Sequence, residues 1–212
     1  MLPWRDCMDS WPNVWIGATI TSQAEAERDI PKLLDVPADV RFLSMEPLLG
    51  AVDLSRLSHG PRSAPLYPKR SYINALTGGT YGFHPVTQEA FRITHSPLGH
   101  LGWVIVGGES GPGARPMHPD WVHSLRDQCQ AAGVPFLFKQ HGEWLAKAFC
   151  GHEKAELACK RIEYIRQDGS IHDRGAGVDL SGAEVEVARV GKKAAGRLLD
   201  GCEWNKTPKS TA

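Results

Sequence analysis

The chain has 212 residues, enough for one sizeable domain and a small appendage. Lysine plus arginine and aspartate plus glutamate both number 24, so the formal net charge is zero. That balance argues against a nonspecific polyanion binder, although local basic patches stay open. No apolar run approaches the ~20 residues of a membrane span, and MLPWRDCMDSWP has no basic-then-apolar signal pattern. A cytoplasmic chain is the default expectation.

In chain order, Met1–Pro12 reads as irregular, and Asn13–Ile20 (NVWIGATI) as a first strand. Ser22 with Glu25 forms a capping box. The helix behind it carries Ala24, Ile30, Leu33 and Leu34, and Pro31 is expected to divide it into two short segments. Asp39–Met45 is the second strand, with Glu46-Pro47 at its end. Leu57–Leu101 reads as an insertion rich in Gly, Pro, Ser, His and Tyr, without long periodicity. Loops of that length are functional lids or partly disordered segments. Its His59, His84, His95 and His100 show no HxH or HxxxH spacing, so no metal site is expected there.

Trp103–Val106 is a short β-branched run that suits a buried strand. Gly107, Gly108, Gly111 and Gly113, with Pro112 and Pro116, then break the pattern. Pro119 suits a first helical position. Trp121, Val122, Leu125, Cys129 and Ala132 recur at helical spacing, Gly133 fits the helix end, and Val134–Phe138 is another buried-strand run. Two βαβ units follow from this order, Asn13–Met45 and Trp103–Gln140. Beyond them, His141–Trp144 continues a strand-end loop and Lys147–Lys160 is mixed helical. Arg161–Arg166 alternates as a strand, Asp168-Gly169 marks a hairpin turn, and Glu184–Val190 alternates again. Gly191–Asp200 (GKKAAGRLLD) reads as a short, solvated basic helix that resembles a phosphate loop only superficially. Asn205–Ala212 is expected to be mobile.

In parallel α/β folds ligands sit at the carboxyl ends of the strands. Those ends present Thr19, Thr21, Gln23, Glu46, Glu109, Ser110, Lys139 and Gln140. Charged residues leaving apolar strands are costly unless paired or used. A structural Glu109–Lys139 ion pair is the plain reading. The chemical one makes Lys139, Glu109 and Glu46 the catalytic candidates. A desolvated strand-end lysine forms a Schiff base with a carbonyl substrate, with Glu46 or Glu109 moving protons. Cys7, Cys129, Cys150, Cys159 and Cys202 contain no CxxC and suggest free thiols.

The stretches LSMEPLLG (Leu43–Gly50), WVIVGGESGPGARPMHPDWV (Trp103–Val122) and PFLFKQHGEW (Pro135–Trp144), with the tail VGKKAAGRLLDG (Val190–Gly201), together resemble a phage and prophage family, the gp thirty-seven / gp sixty-eight family. The resemblance implies a radical S-adenosylmethionine-like enzyme on a complete or partial (βα) barrel, with clustered cysteines towards the N-terminus. Only four core strands are legible here, against ~250 residues for a full barrel. The expected fold is therefore α/β: a partial TIM-like barrel, roughly its C-terminal half, over residues 1–144. An insertion at about 57–101 interrupts it, and a small α+β extension follows over 145–212. The resemblance also implies S-adenosylmethionine as cofactor, with Thr19, Glu46, Glu109, Ser110 and Arg115 facing it. Arg115 and Lys139 would hold a carboxylate or phosphate. The iron–sulfur cluster is not bindable by this chain alone. The expected partner is a separately encoded N-terminal half or a second copy of the chain, because a half barrel leaves an open strand edge and an apolar inner face.

A non-enzymatic reading stands beside this one: a phage-encoded interaction module. Its contact surface would be the half-barrel face and the insertion, where Lys69-Arg70 beside Tyr67 and Tyr72 is the best local patch for nucleic acid.

Overall fold

Four short runs of β-branched and aromatic residues, separated by helical or inserted sequence, form one parallel sheet. They are β1 (Trp15–Thr19), β2 (Val40–Met45), β7 (Trp103–Gly107) and β8 (Phe136–Gln140). The computed structural model describes residues 14–59, 71–83, 86–87, 89–93, 99–149, 161–173 and 184–209. The strands lie in the order β1-β2-β7-β8, all parallel, so spatial order follows chain order with no reversal.

Alternation along the strands sorts the side chains into two faces. Leu43, Met45, Val104, Val106, Phe136 and Phe138 are buried. They share one core with Ile30 and Leu34 of α1 (Gln23–Leu34) and with Trp121 and Leu125 of α2 (Pro119–Ala132). The opposite face carries Phe42, Trp103, Ile105 and Leu137, all half-buried, and Trp15, which is 36% exposed. Trp15 and Trp103 meet edge to face at 6.0 Å.

Three local expectations change. Pro31 does not divide α1, which runs unbroken through it. Pro31 lies in the last turns, where its missing N–H removes a single helix bond, and its ring is buried in the core. The capping box is displaced by one residue. The Glu25 carboxylate accepts from the Thr21 amide and hydroxyl, both at 2.8 Å, and Ser22 contributes no side-chain cap. These donors hold the Glu25 carboxyl below its ordinary range. The tail at 204–206 is ordered, because it pairs with β8. The Phe138 amide donates to the Trp204 carbonyl at 2.9 Å, and the Lys206 amide to the Phe136 carbonyl at 3.2 Å. That pairing also covers the β8 edge, which half-barrel reasoning leaves open.

The stretch between β2 and β7 is not a featureless loop. It holds an antiparallel sheet of β3 (Leu57–His59), β4 (Ser71–Asn74), β5 (Gly79–Phe83) and β6 (Ala90–Ile93), in that order. Leu57, Ile73 and Thr80 face inward, while Tyr72 and Tyr81 stack at 5.1 Å on the outer face. At the β4–β5 turn the Asn74 side chain accepts from the Leu76 and Thr77 amides, both at 3.1 Å. Strands of three to five residues are too short for alternation to stand out in the sequence.

A third sheet, antiparallel in the order β11-β10-β12-β9, is built from β9 (Trp144–Ala146), β10 (Ile162–Arg166), β11 (Ile171–Asp173) and β12 (Glu184–Arg189). A single 3-10 turn at Lys147–Phe149 replaces the start of the expected helix, whose remainder lies outside the described residues. The basic helix shrinks to one turn, α3 (Lys192–Ala195), because Gly196 leaves helical geometry with φ 72°. No described helix is long and apolar enough to cross a membrane. Lys69, Arg70 and Tyr67 lie outside the described residues.

Candidate functional site

The carboxyl ends of β2, β7 and β8 lie side by side. Glu46 follows β2, Lys139 is near the end of β8, and β7 between them ends in Gly107-Gly108. Strands two apart are separated by about 10 Å, so Glu46 and Lys139 meet only across the end of β7. They do so: Lys139 Nζ lies 2.9 Å from Glu46 Oε2. Gly107 makes the crossing feasible, since a Cβ there would overlap Glu46 Oε1. The Glu46 side chain is only 16% exposed, against 56% for Lys139. Its Oε1 is sealed from solvent and accepts no hydrogen bond. A carboxylate with one buried oxygen unpaired is an uncommon arrangement in a folded protein.

Glu109 does not pair with Lys139. Its carboxylate is forked onto Arg115, with Nε–Oε2 at 2.8 Å and Nη2–Oε1 at 2.9 Å, and it also accepts from the Arg115 amide at 2.8 Å. The loop folds back over six residues, bringing Arg115 to Glu109 before Lys139 can compete. The guanidinium holds the Glu109 carboxyl below its ordinary range. Arg115 is thereby spent on loop closure, and the expected Glu109–Lys139 pair is replaced by two pairs with other partners.

The third sheet clamps this loop. Glu143 donates its amide to the Glu109 carbonyl at 2.9 Å and accepts from the Gly111 amide at 3.2 Å. Arg189 reaches the Gly111 and Pro112 carbonyls at 2.9 and 2.7 Å, and the Trp144 indole reaches the Ala114 carbonyl at 2.7 Å. Two backbone segments cross so closely that a Cβ on Gly108 would overlap the His141 carbonyl. One on Gly142, with φ 83°, would overlap that of Glu109. The glycines of GGESG and HGEW are therefore steric requirements of this crossing.

Among the other expected residues, Ser110 accepts from Gln140 Nε2 at 3.1 Å. Thr19 stands exposed at the end of β1 and joins neither ion pair. Gln23 serves the fold, its carbonyl oxygen accepting from the Asp53 amide at 2.8 Å.

The residues that sequence reasoning passed over are those of α3 and its flank. Lys139, Gln140, Lys192, Lys193, Gly196 and Arg197 line a cleft of about 390 Å³. His141 pins this segment to the end of β8. Its amide donates to the Gly196 carbonyl at 3.1 Å, and its Nε2 lies 2.8 Å from the Leu198 carbonyl. The ring is buried against Phe138 and Phe149, at 4.7 and 4.9 Å, and this desolvation pulls its pKa down. The signal was present in GKKAAGR, but it reads as a surface helix until β8 is placed beside it.

The described cysteines do not suit an iron–sulfur cluster. Cys129 is buried in the α2 core, its thiol pushed up to about 12 by desolvation, and Cys202 is exposed elsewhere. Among the described residues no group of three His, Cys, Asp or Glu side chains could hold a metal ion.

Fold and site together define a mixed α/β protein whose parallel sheet presents paired and unpaired charges at its carboxyl end. Residues 2–208 match the family described as protein of unknown function DUF5131, and the chain belongs to that family. No curated protein and no solved structure matches it.

Proposed function

We propose that this chain is the C-terminal part of a (βα)-barrel enzyme of the radical S-adenosylmethionine kind, and that it binds a ligand rather than completing a reaction alone. Two features of the fold support the barrel reading. The four parallel strands follow chain order without a reversal, and their buried face shares one core with α1 and α2 while the other stays half-open. The observation that carries the ligand reading is the Glu46 carboxylate. One oxygen holds Lys139 and the other, over Gly107, has no donor. A ligand ammonium or hydroxyl that draws the carboxylate outward would satisfy it, while Lys139 would receive a carboxylate. The amino-acid end of S-adenosylmethionine offers both groups. The described cysteines give a cluster no place, so cluster ligands would have to come from outside the described residues. The phage origin rests on the sequence resemblance.

Calorimetric titration with S-adenosylhomocysteine tests this. We expect saturable binding to the wild type, weakened at least tenfold by Glu46→Gln and by Lys139→Met. Absence of binding to the wild type, or equal affinity in both variants, would overturn it.

The interaction-module reading has its own support in the half-open face around Trp103 and Ile105. It expects a second copy to seat there. Sedimentation equilibrium should then show a dimer that Ile105→Glu dissociates; a monomeric wild type removes that reading.

A further inference from the structure

Resting on the reading that ligands enter at the carboxyl end of the parallel sheet, we infer that the cleft beside Lys139 is a phosphate subsite for a small molecule bearing at least two phosphate groups. Four of its six lining residues are cations, Lys139, Lys192, Lys193 and Arg197, and none is acidic. Lys192 and Lys193 are exposed and make no ion pair among the described residues. Concentrating like charges in one concavity is unfavourable unless an anion occupies it.

The backbone that carries these cations is held in place. The amides of Val190 and Gly191 both donate to the Glu143 carbonyl, at 3.1 and 3.0 Å. Those of Ala194 and Ala195 return to the Gly191 carbonyl, at 3.0 and 2.9 Å. Buried His141 fixes the far side through Gly196 and Leu198. Arg197 is steadied by Asn205, whose side-chain oxygen accepts from its guanidinium. The backbone of the cleft is thus set before any ligand arrives, which lowers that part of the ordering cost of binding.

Charge and size select the ligand class. Glu46 already balances Lys139, which leaves Lys192, Lys193 and Arg197. A phosphate group carries about −1.5 to −2 at neutral pH, so two of them match these three cations where a single carboxylate does not. S-adenosylmethionine alone would leave the cleft overcharged, so the site belongs to a co-substrate. The cleft, about 390 Å³, is shallow and open to solvent, which suits a small polar group rather than an enclosed ligand. A chain with zero net charge lacks the excess that a polynucleotide track calls for.

Titration of the full chain with inorganic pyrophosphate at fixed ionic strength tests the assignment. We expect one saturable site, weakened at least tenfold by Lys192→Ala combined with Lys193→Ala. Lys209→Ala, at the opposite end of the sheet, should leave it unchanged. The paired Lys192 and Lys193 changes should leave S-adenosylhomocysteine binding unchanged, so loss of S-adenosylhomocysteine binding and loss of pyrophosphate binding report separately. Three results would overturn the assignment: no saturable binding, an equal loss with Lys209→Ala, or tighter binding of oligothymidylate that strengthens with length.

Discussion

The two ends of the parallel sheet are built from the same strands and differ in packing and charge. At the amino end, where β8 begins, a cavity of about 670 Å³ lies among Val134, Pro135, Phe136 and Trp204, with Lys206 and Lys209 at its margin. It is the larger space, but it offers two lysines where the cleft at the other end gathers four cations. The chain's own tail is packed there. Trp204 sits edge to face on Phe136 at 6.0 Å, and the Trp103 indole donates to the Lys206 carbonyl at 2.9 Å. The carboxyl-end cleft is smaller but concentrates cations beside two ion pairs. Volume therefore points to the wrong end, and charge to the end where parallel folds place their ligands. On the proposed reading the amino end serves stability and the carboxyl end serves binding.

The sharpest way to break that division is at Phe136, which is almost fully buried. Phe136→Ala should cost about 4 kcal/mol, as large-to-small changes at buried aromatics do, measured by urea denaturation. Whatever stays folded should bind pyrophosphate with unchanged affinity. A loss of affinity in the folded fraction would mean the two ends are coupled. Next in size is Gly142→Ala. The new Cβ would meet the Glu109 carbonyl, and φ 83° disfavours any side chain. About 3 kcal/mol is expected. Here pyrophosphate affinity should fall as well, because Gly142 lies between His141 and Glu143, which hold the cleft and the loop. Normal affinity would separate the crossing from the cleft.

What the sequence revealed of these ends follows the same divide. The four parallel strands and α2 were legible because uninterrupted apolar runs and a Pro119-to-Gly133 frame leave few alternatives. Glu46 and Lys139 were legible as charges placed directly after such runs. Their pairing was not, since it depends on Gly107 leaving room for a carboxylate to cross one strand. Glu109 likewise finds Arg115 through the turn of a loop, which no periodicity encodes. The β3–β6 sheet stayed hidden because its strands are too short for a pattern. The cleft stayed hidden because Lys192, Lys193 and Arg197 become neighbours of Lys139 only through the His141 anchor.

Acidification should sharpen the contrast, because the two histidines buried among the described residues, His118 and His141, both belong to the carboxyl end. Desolvation lowers the pKa of both His118 and His141 in the folded state. The unfolded chain then binds protons that the folded one refuses. Their stabilising contribution is complete above the unfolded value of about 6.5 and is lost as pH falls from there towards the folded values. Each histidine adds a slope of at most about 1.4 kcal/mol per pH unit. Glu109, held low by Arg115, adds a second loss below about pH 4.5, its ordinary value. Urea midpoints between about pH 7.5 and pH 5.5 should fall more steeply for the wild type than for His141→Asn. Parallel curves would show that His141 takes up its proton without cost, and that the cleft's anchor is looser than its burial implies.

The smallest change in stability comes at Lys139, which both proposed ligands would touch. Lys139 is half-exposed, so solvent screens its bond to Glu46 and Lys139→Met should cost only about 1 kcal/mol. Most of that reflects the Glu46 carboxylate, which is left in a nearly closed position with neither oxygen held by a donor. Adding Glu46→Gln to Lys139→Met should recover part of it, because an uncharged amide is cheaper to bury. Pyrophosphate affinity should not recover, since the cleft then still lacks one of its four cations. A double variant that regained stability and affinity together would mean that Lys139 serves the cleft only by holding Glu46 in place. The carboxyl end would then be a structural ion pair beside three basic residues rather than a site with four.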